Sequence, residues 1–140
     1  MSKYVMRDAF ISINGTAFSD HCSAVELSDT ADQVEVTSFG PNAYKQYLQG
    51  FHDAQITCTF FADFAGSSTH QSLQPLYAAG GTIALEVRPT SQARSVTNPS
   101  ALMTGTMYAY TGISGKVGDA ATFDVTFANA GTAGLTWVTS

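Results

Sequence analysis

The sequence predicts a mainly β domain, a β-sandwich or barrel with one short α-helix packed on it. Two observations carry this reading. Apolar and polar residues alternate with a period of two in segment after segment, which is the pattern of strands buried on one face. A single stretch near the middle switches to helical spacing, and turn-forming residues separate the rest.

Ala9, Ile11 and Ile13 alternate with Phe10 and Ser12, predicting a first strand. Asn14-Gly15 follows. This dipeptide is a strong hairpin signal, because a type I′ turn needs positive φ at both positions. Val25 and Leu27 alternate with Ala24, Glu26 and Ser28, and Val34 and Val36 alternate with Gln33, Glu35 and Thr37. Ser28-Asp29-Thr30 reads as a turn between these two strands. Gly40 to Gly50 reads as an extended loop carrying Tyr44, Tyr47 and Leu48. Exposed aromatics of this kind are typical of protein interfaces. Ala54 to Phe60 alternates again, with Cys58 on its apolar face.

The helical stretch runs from the Ser67-Ser68-Thr69 cluster to Gly80. Ser and Thr suit the N-cap, Leu73, Leu76 and Tyr77 have i, i+3, i+4 spacing, and Gly80 suits the C′ position. Pro75 lies inside it and predicts a kink or a later start. Ile83, Leu85 and Val87 then mark a strand, and Thr90 to Ser100 a second extended loop. Met103 and Met107, and finally Phe123, Val125 and Phe127, mark two more strands. Gly112 to Gly118 forms the turn between them.

At 140 residues the chain is expected to form one domain spanning 1–140. Apolar residues make up 44% and charged residues only 12%. Typical domains carry about 25% charge, so a surface this poor in charge suits one covered by neighbouring chains. No apolar run is long enough to predict a membrane span. Met1-Ser2-Lys3-Tyr4 lacks the apolar core of a secretory signal, so a protein made and kept reduced inside the cell is expected. The net charge of −5, with six scattered Lys and Arg, argues against gripping nucleic-acid phosphates. Cys22 alternates in phase with Ala24 and Glu26, so it is expected to face away from Cys58, leaving two separate thiols.

The sequence carries no GxSxG elbow, HExxH, Walker loop or paired CxxC. The Gly112–Gly118 run lacks Ser or Thr after Lys116 and precedes a strand, so it reads as a turn and not a phosphate loop. His21 and Cys22 would point to opposite faces of a strand and would not share a metal. No catalytic residue, metal or cofactor is therefore expected. Four acids, Glu26, Glu35, Glu86 and Asp124, sit on the polar faces of separate predicted strands. Paired carboxylates could hydrolyse glycosides, but nothing marks a sugar cleft. The simpler reading is a solvated wall.

Two groups of motifs resemble a known family. The first is Val25-Glu26-Leu27-Ser28, Val34-Glu35-Val36-Thr37-Ser38-Phe39-Gly40, Leu48-Gln49-Gly50-Phe51-His52-Asp53-Ala54-Gln55-Ile56-Thr57 and Phe61-Ala62-Asp63. The second is Thr97-Asn98-Pro99-Ser100, Gly118-Asp119-Ala120-Ala121-Thr122-Phe123-Asp124-Val125-Thr126-Phe127 and Gly134-Leu135-Thr136. In content and order they resemble the major tail (tail tube) proteins of long-tailed bacteriophages. The resemblance implies a β-sandwich subunit that forms hexameric rings, which stack into a hollow virion tube assembled in the host bacterial cytoplasm. It implies self-contacts, contacts with tape-measure, tail-tip and terminator proteins, and DNA passing through the lumen without specific binding or membrane insertion. On that reading Glu26, Glu35, Glu86 and Asp124 are candidates for the lumen wall, with Glu35 and Asp124 favoured. Tyr44, Tyr47 and Leu48 are candidates for contacts between subunits. The rival reading is a monomeric β-sandwich module that binds carbohydrate or a host surface.

Overall fold

The computed structural model describes residues 3–41, 43–62, 69–111 and 113–140. The chain forms β1 (Phe10–Ile13), β2 (Thr16–Ala17), a 3-10 turn at Ser19–His21, β3 (Cys22–Glu35) and β4 (Tyr47–Phe61). It continues through helix α1 (Thr69–Ala79), β5 (Thr82–Arg88), β6 (Ser100–Tyr110), β7 (Thr122–Asn129) and β8 (Thr136–Val138). Among the described residues the strands make one antiparallel sheet in the order β2-β1-β5-β6-β7-β4-β3, with β8 added beside β6. Mainly β with one short helix is thus the architecture found.

The sheet rolls around its own core. β1 and β4 stand four strand spacings apart in the order, roughly 19 Å if the sheet were flat. Yet Phe18, whose N–H donates to Ile11 O of β1 at 2.9 Å, meets Phe60 of β4 edge-on with ring centroids 6.1 Å apart. The alternation drives this closure. Ile11, Ile13, Ile56, Cys58, Phe60, Leu85, Val87, Phe123, Val125 and Phe127 come from four strands and share one buried cluster. Helix α1 closes the core with Leu73, fully buried, and lays Tyr77 on Tyr110 of β6 with centroids 5.8 Å apart. His70 Nδ1 lies 2.6 Å from Tyr110 Oη. Pro75 is inside the helix, which runs on to Ala79 and ends at Gly80 with φ 69°. The expected cap residues Ser67 and Ser68 lie outside the described residues, as do Asp63, Asn42 and Gly112.

The Asn14-Gly15 hairpin forms as expected, with φ of 53° and 85°. Three expectations are corrected. Ser28-Asp29-Thr30 is not a turn: it pairs with Gln55, Ala54 and Asp53, so the two predicted strands are the single strand β3. Those residues are polar because this stretch is wet, not because the chain reverses there. The predicted loop 40–50 is shorter, since Tyr47 to Gly50 already belong to β4. Gly50 marks an irregularity in which β4 advances three residues, His52 to Gln49, while β3 advances two, Ala31 to Gln33. A glycine in a strand commonly marks such a bulge. Finally, Cys22 does not face away from Cys58. A register shift between Cys22 and Ala24 turns Cys22 toward the core side, the side that the free thiol of Cys58 also faces.

Candidate functional site

β4 divides at Gln55. From Gln55 to Phe61 it is sandwiched between β3 and β7; from Tyr47 to Ala54 only β3 pairs with it. The lower part is therefore body and the upper part a two-stranded arm. Each part presents a surface of different chemistry.

On the body, the buried residues 54, 56, 58 and 60 of β4 fix which face is outward. Pairing then aligns the outward residues in rows: Ala24–Thr59–Asp124, Glu26–Thr57–Thr126 and Ser28–Gln55–Ala128. Thr30 lies opposite Asp53 at the end of this face, and Thr106 of β6 continues the row at Ala128. Thr59 Oγ1 donates to Asp124 Oδ1 at 2.7 Å, which fixes that carboxylate in the wall. Among the described residues this four-strand face carries three carboxylates, Glu26, Asp53 and Asp124, and no Lys or Arg. Threonine dominates the remainder. Such a face is wettable and repels anions.

The four acids singled out in the sequence divide three ways. Glu26 and Asp124 share the polar face. Glu35 does not join them. It lies on the same strand as Glu26 at an odd spacing, so it points to the opposite side, out on the arm. There it pairs loosely with Lys45 at 3.8 Å, both side chains being exposed. Pairing Glu35 with Asp124 on one wall is thus corrected; the cause is the continuity of β3, which removes the turn that would have reset the alternation.

Glu86 is different again. Arg94 Nη2 sits 3.1 Å from its Oε1, Arg88 Nε sits 3.4 Å from Oε2, and Ser100 Oγ donates to Oε2 at 2.8 Å. Burial pushes this carboxyl up, but the bonds from Arg94 and Ser100, with the charges of both arginines, outweigh it and hold its pKa below the ordinary value. Its charge is spent within the fold. Arg94 belongs to the 89–99 connection, which Asn98 braces from inside. Asn98 accepts from Thr90 N–H at 3.0 Å and donates to Gln92 O at 2.8 Å and Ala93 O at 3.2 Å. The second predicted loop is an internally bonded cover over β5 and β6.

The arm carries the other surface. Tyr44 is 85% exposed and Leu48 61%. Tyr47, Val34 and Val36 are also exposed. Tyr47 and Leu48 are neighbours on β4 and so point to opposite faces of the ribbon. Sequence reasoning missed Phe39 and Phe51, which is 88% exposed. The signal for Phe51 was the break in alternation at Gly50. An isolated two-stranded ribbon is marginal in water, and apolar surface on both its faces makes it a candidate contact site. Phe51 and His52 also border a groove of about 580 Å³ that runs between the arm and the 132–135 segment.

No protein-family model matches the sequence, and no curated protein matches it. Solved structures do. A chain in the virion of the native gene transfer agent particle superposes with a TM-score of 0.72 at 16% identity, covering 94% of this chain and 95% of that one. A chain in the tail of the empty gene transfer agent particle, refined with C6 symmetry, gives 0.68 at 17% identity over 89% and 87%. The SPP1 tail tube gives 0.71 at 10% identity over 99% and 80%. The chain has a tail tube fold. At these identities the likeness is one of backbone architecture.

Proposed function

We propose that this chain is a structural subunit of a viral tail that polymerises as stacked rings, most simply hexamers, into a tube through which DNA leaves the particle. The observation that carries this reading is the base-free polar face of β6, β7, β4 and β3, lying next to an apolar arm. The tail tube fold and the C6 symmetry of one structural neighbour support it. Six copies, each giving four strands about 4.8 Å apart, close a circumference of roughly 115 Å and a diameter of roughly 37 Å before strand tilt widens it. That leaves room for a double helix.

In this arrangement Glu26, Asp53 and Asp124 face the bore. Screening confines their field to about 8 Å at physiological salt, so they act only on phosphates that approach the wall. A wall of carboxylates and threonines keeps DNA in transit from sticking, whereas lysines would release counterions and hold it. Ring closure also covers β3, whose fourteen-residue outer edge is an aggregation hazard in a lone subunit. Tyr44, Tyr47 and Leu48, with Phe39 and Phe51, contact a neighbouring copy. The subunit acts in the virion after assembly in the bacterial cytoplasm, where it meets tape-measure, tail-tip and terminator proteins. It is not an enzyme and needs no cofactor.

Light scattering and electron microscopy of concentrated protein, with and without a tail-tip initiator, test the reading. Rings or hollow tubes are expected. A species that stays at 14.8 kDa under all these conditions would favour the monomeric binding module instead.

A further inference from the structure

The regular alternation of β3 would set Cys22 among the polar residues of the outer face. The register shift between Cys22 and Ala24 rotates it instead toward the core, diagonally across from Cys58, whose own partner is Val25. The two cysteines thus lie on one face of adjacent strands, one register step apart. Their surroundings are unequal. Cys58 is 1% exposed, next to Phe60 along β4 and opposite Val125 of β7. Cys22 is half-buried and forms part of the wall of an open pocket of about 340 Å³ between β1 and β3, together with Arg7, Ile11 and Ser19.

We propose that Cys22 and Cys58 form a redox-active dithiol, with Cys22 the thiol that reacts with small-molecule disulfides entering the pocket and Cys58 the thiol that resolves the adduct. The Cys22 thiolate attacks one sulfur of a disulfide R–S–S–R. That S–S bond breaks and one thiolate leaves, giving a mixed disulfide on Cys22. Cys58 then gives up its proton to solvent and attacks the Cys22 sulfur, and the second thiolate leaves. The dithiol loses two electrons and two protons; R–S–S–R gains them as two R–SH. The asymmetry of the pair fits these roles. The bond from Cys58, helped by the backbone at Ala24 and Thr59, outweighs burial and lowers the Cys22 pKa. The bond to Cys22 and burial raise that of Cys58. A depressed pKa and access select the attacking thiol. The product ties the start of edge strand β3 to β4, beside the gap where the rolled sheet fails to close on β1.

The test treats the folded wild-type chain with oxidised glutathione under native conditions and follows intact mass, titratable thiols and melting temperature. The expected end product carries no interchain disulfide, is two hydrogens lighter, has no titratable thiol, and melts roughly 5–10 °C higher. Cys58→Ala should stop at one glutathione on Cys22. Cys22→Ser should take up no glutathione, because its remaining thiol is buried. The proposal is overturned if the wild type keeps two thiols, stays at the mixed disulfide, or links only between chains. It is also overturned if Cys22→Ser reacts as fast as wild type. Because the wild-type mass and thiol count decide first, a variant that misfolds does not protect the idea.

Discussion

Replacing Phe51 by alanine separates folding from assembly. The ring is 88% exposed and contributes little to the subunit's own core. A phenylalanine of roughly 200 Å² exposed to that extent offers about 175 Å² to a partner. At about 25 cal/mol per Å², full coverage by a neighbouring copy is worth about 4 kcal/mol, and half coverage about 2. Each 1.4 kcal/mol is tenfold in affinity, so the alanine variant should raise the critical concentration for polymerisation by roughly 30- to 1000-fold. The subunit should melt within a few degrees of wild type, since surface changes usually shift stability by less than about 0.5 kcal/mol. Sedimentation of assembled material across a concentration series gives the first quantity, and circular dichroism gives the second. Polymerisation at the wild-type critical concentration refutes the argument that the arm carries the contact.

Tyr44→Ala and Leu48→Ala should weaken assembly in the same direction, by roughly tenfold or more each, read in the same sedimentation series. Gly105→Ala should destabilise the body by roughly 1–3 kcal/mol in thermal melts, because a Cβ there meets Ala128 O at 3.0 Å and the Leu85 and Met103 side chains at 3.1 Å. Glu86→Gln should cost roughly 1.5–3 kcal/mol near neutral pH. The folded pKa of Glu86 lies below its ordinary 4.5, so that stability is present above pH 4.5 and is lost as pH falls through the lower folded value. Wild type and variant should therefore converge in acid, and a constant gap down to pH 3 would contradict the ion-pair account. Glu26→Lys with Asp124→Lys should leave tubes intact while slowing DNA release, most severely at low salt. A release rate indifferent to both lysines would remove these residues from the bore.

Much of the body could be read from period-two alternation, because burial on one side forces it. The core residues Ile11, Ile13, Ile56, Phe60, Leu85, Val87, Phe123, Val125 and Phe127 were all in phase. So was Leu73 on the helix, and Asn14-Gly15 made its turn. The arm was not legible for the same physical reason in reverse. With water on both faces, Asp29 to Glu35 had no buried side to stamp a pattern, and the Ser28-Asp29-Thr30 cluster at its start passed for a turn. The position of Glu35 followed from that error, since a turn resets the alternation and a continuous strand does not. Cys22 was misplaced by a bulge, which a strict alternation count cannot see. Glu86 looked like an exposed acid because its two arginines lie two and eight residues away and only the folded loop brings Arg94 back.

The division of β4 at Gln55 also divides the energetics. The body buries side chains from β1, β4, β5, β6 and β7 against one another and against Leu73, so its stability is intrinsic to one chain. The arm, seven residues of β3 from Asp29 to Glu35, reaches roughly 23 Å from the body and buries almost nothing within the subunit. Two strands without a third layer are marginal by themselves in water, so on the proposed tube reading contact with another copy supplies the missing half of the arm's interactions. Folding and assembly therefore draw on separate residues. A body substitution such as Gly105→Ala lowers the melting temperature first and assembly only as a consequence. An arm substitution such as Phe51→Ala lowers assembly first and leaves melting nearly unchanged. On the proposed tube reading, a subunit built this way can accumulate as a folded monomer until a neighbouring copy offers a surface for the arm to pack against.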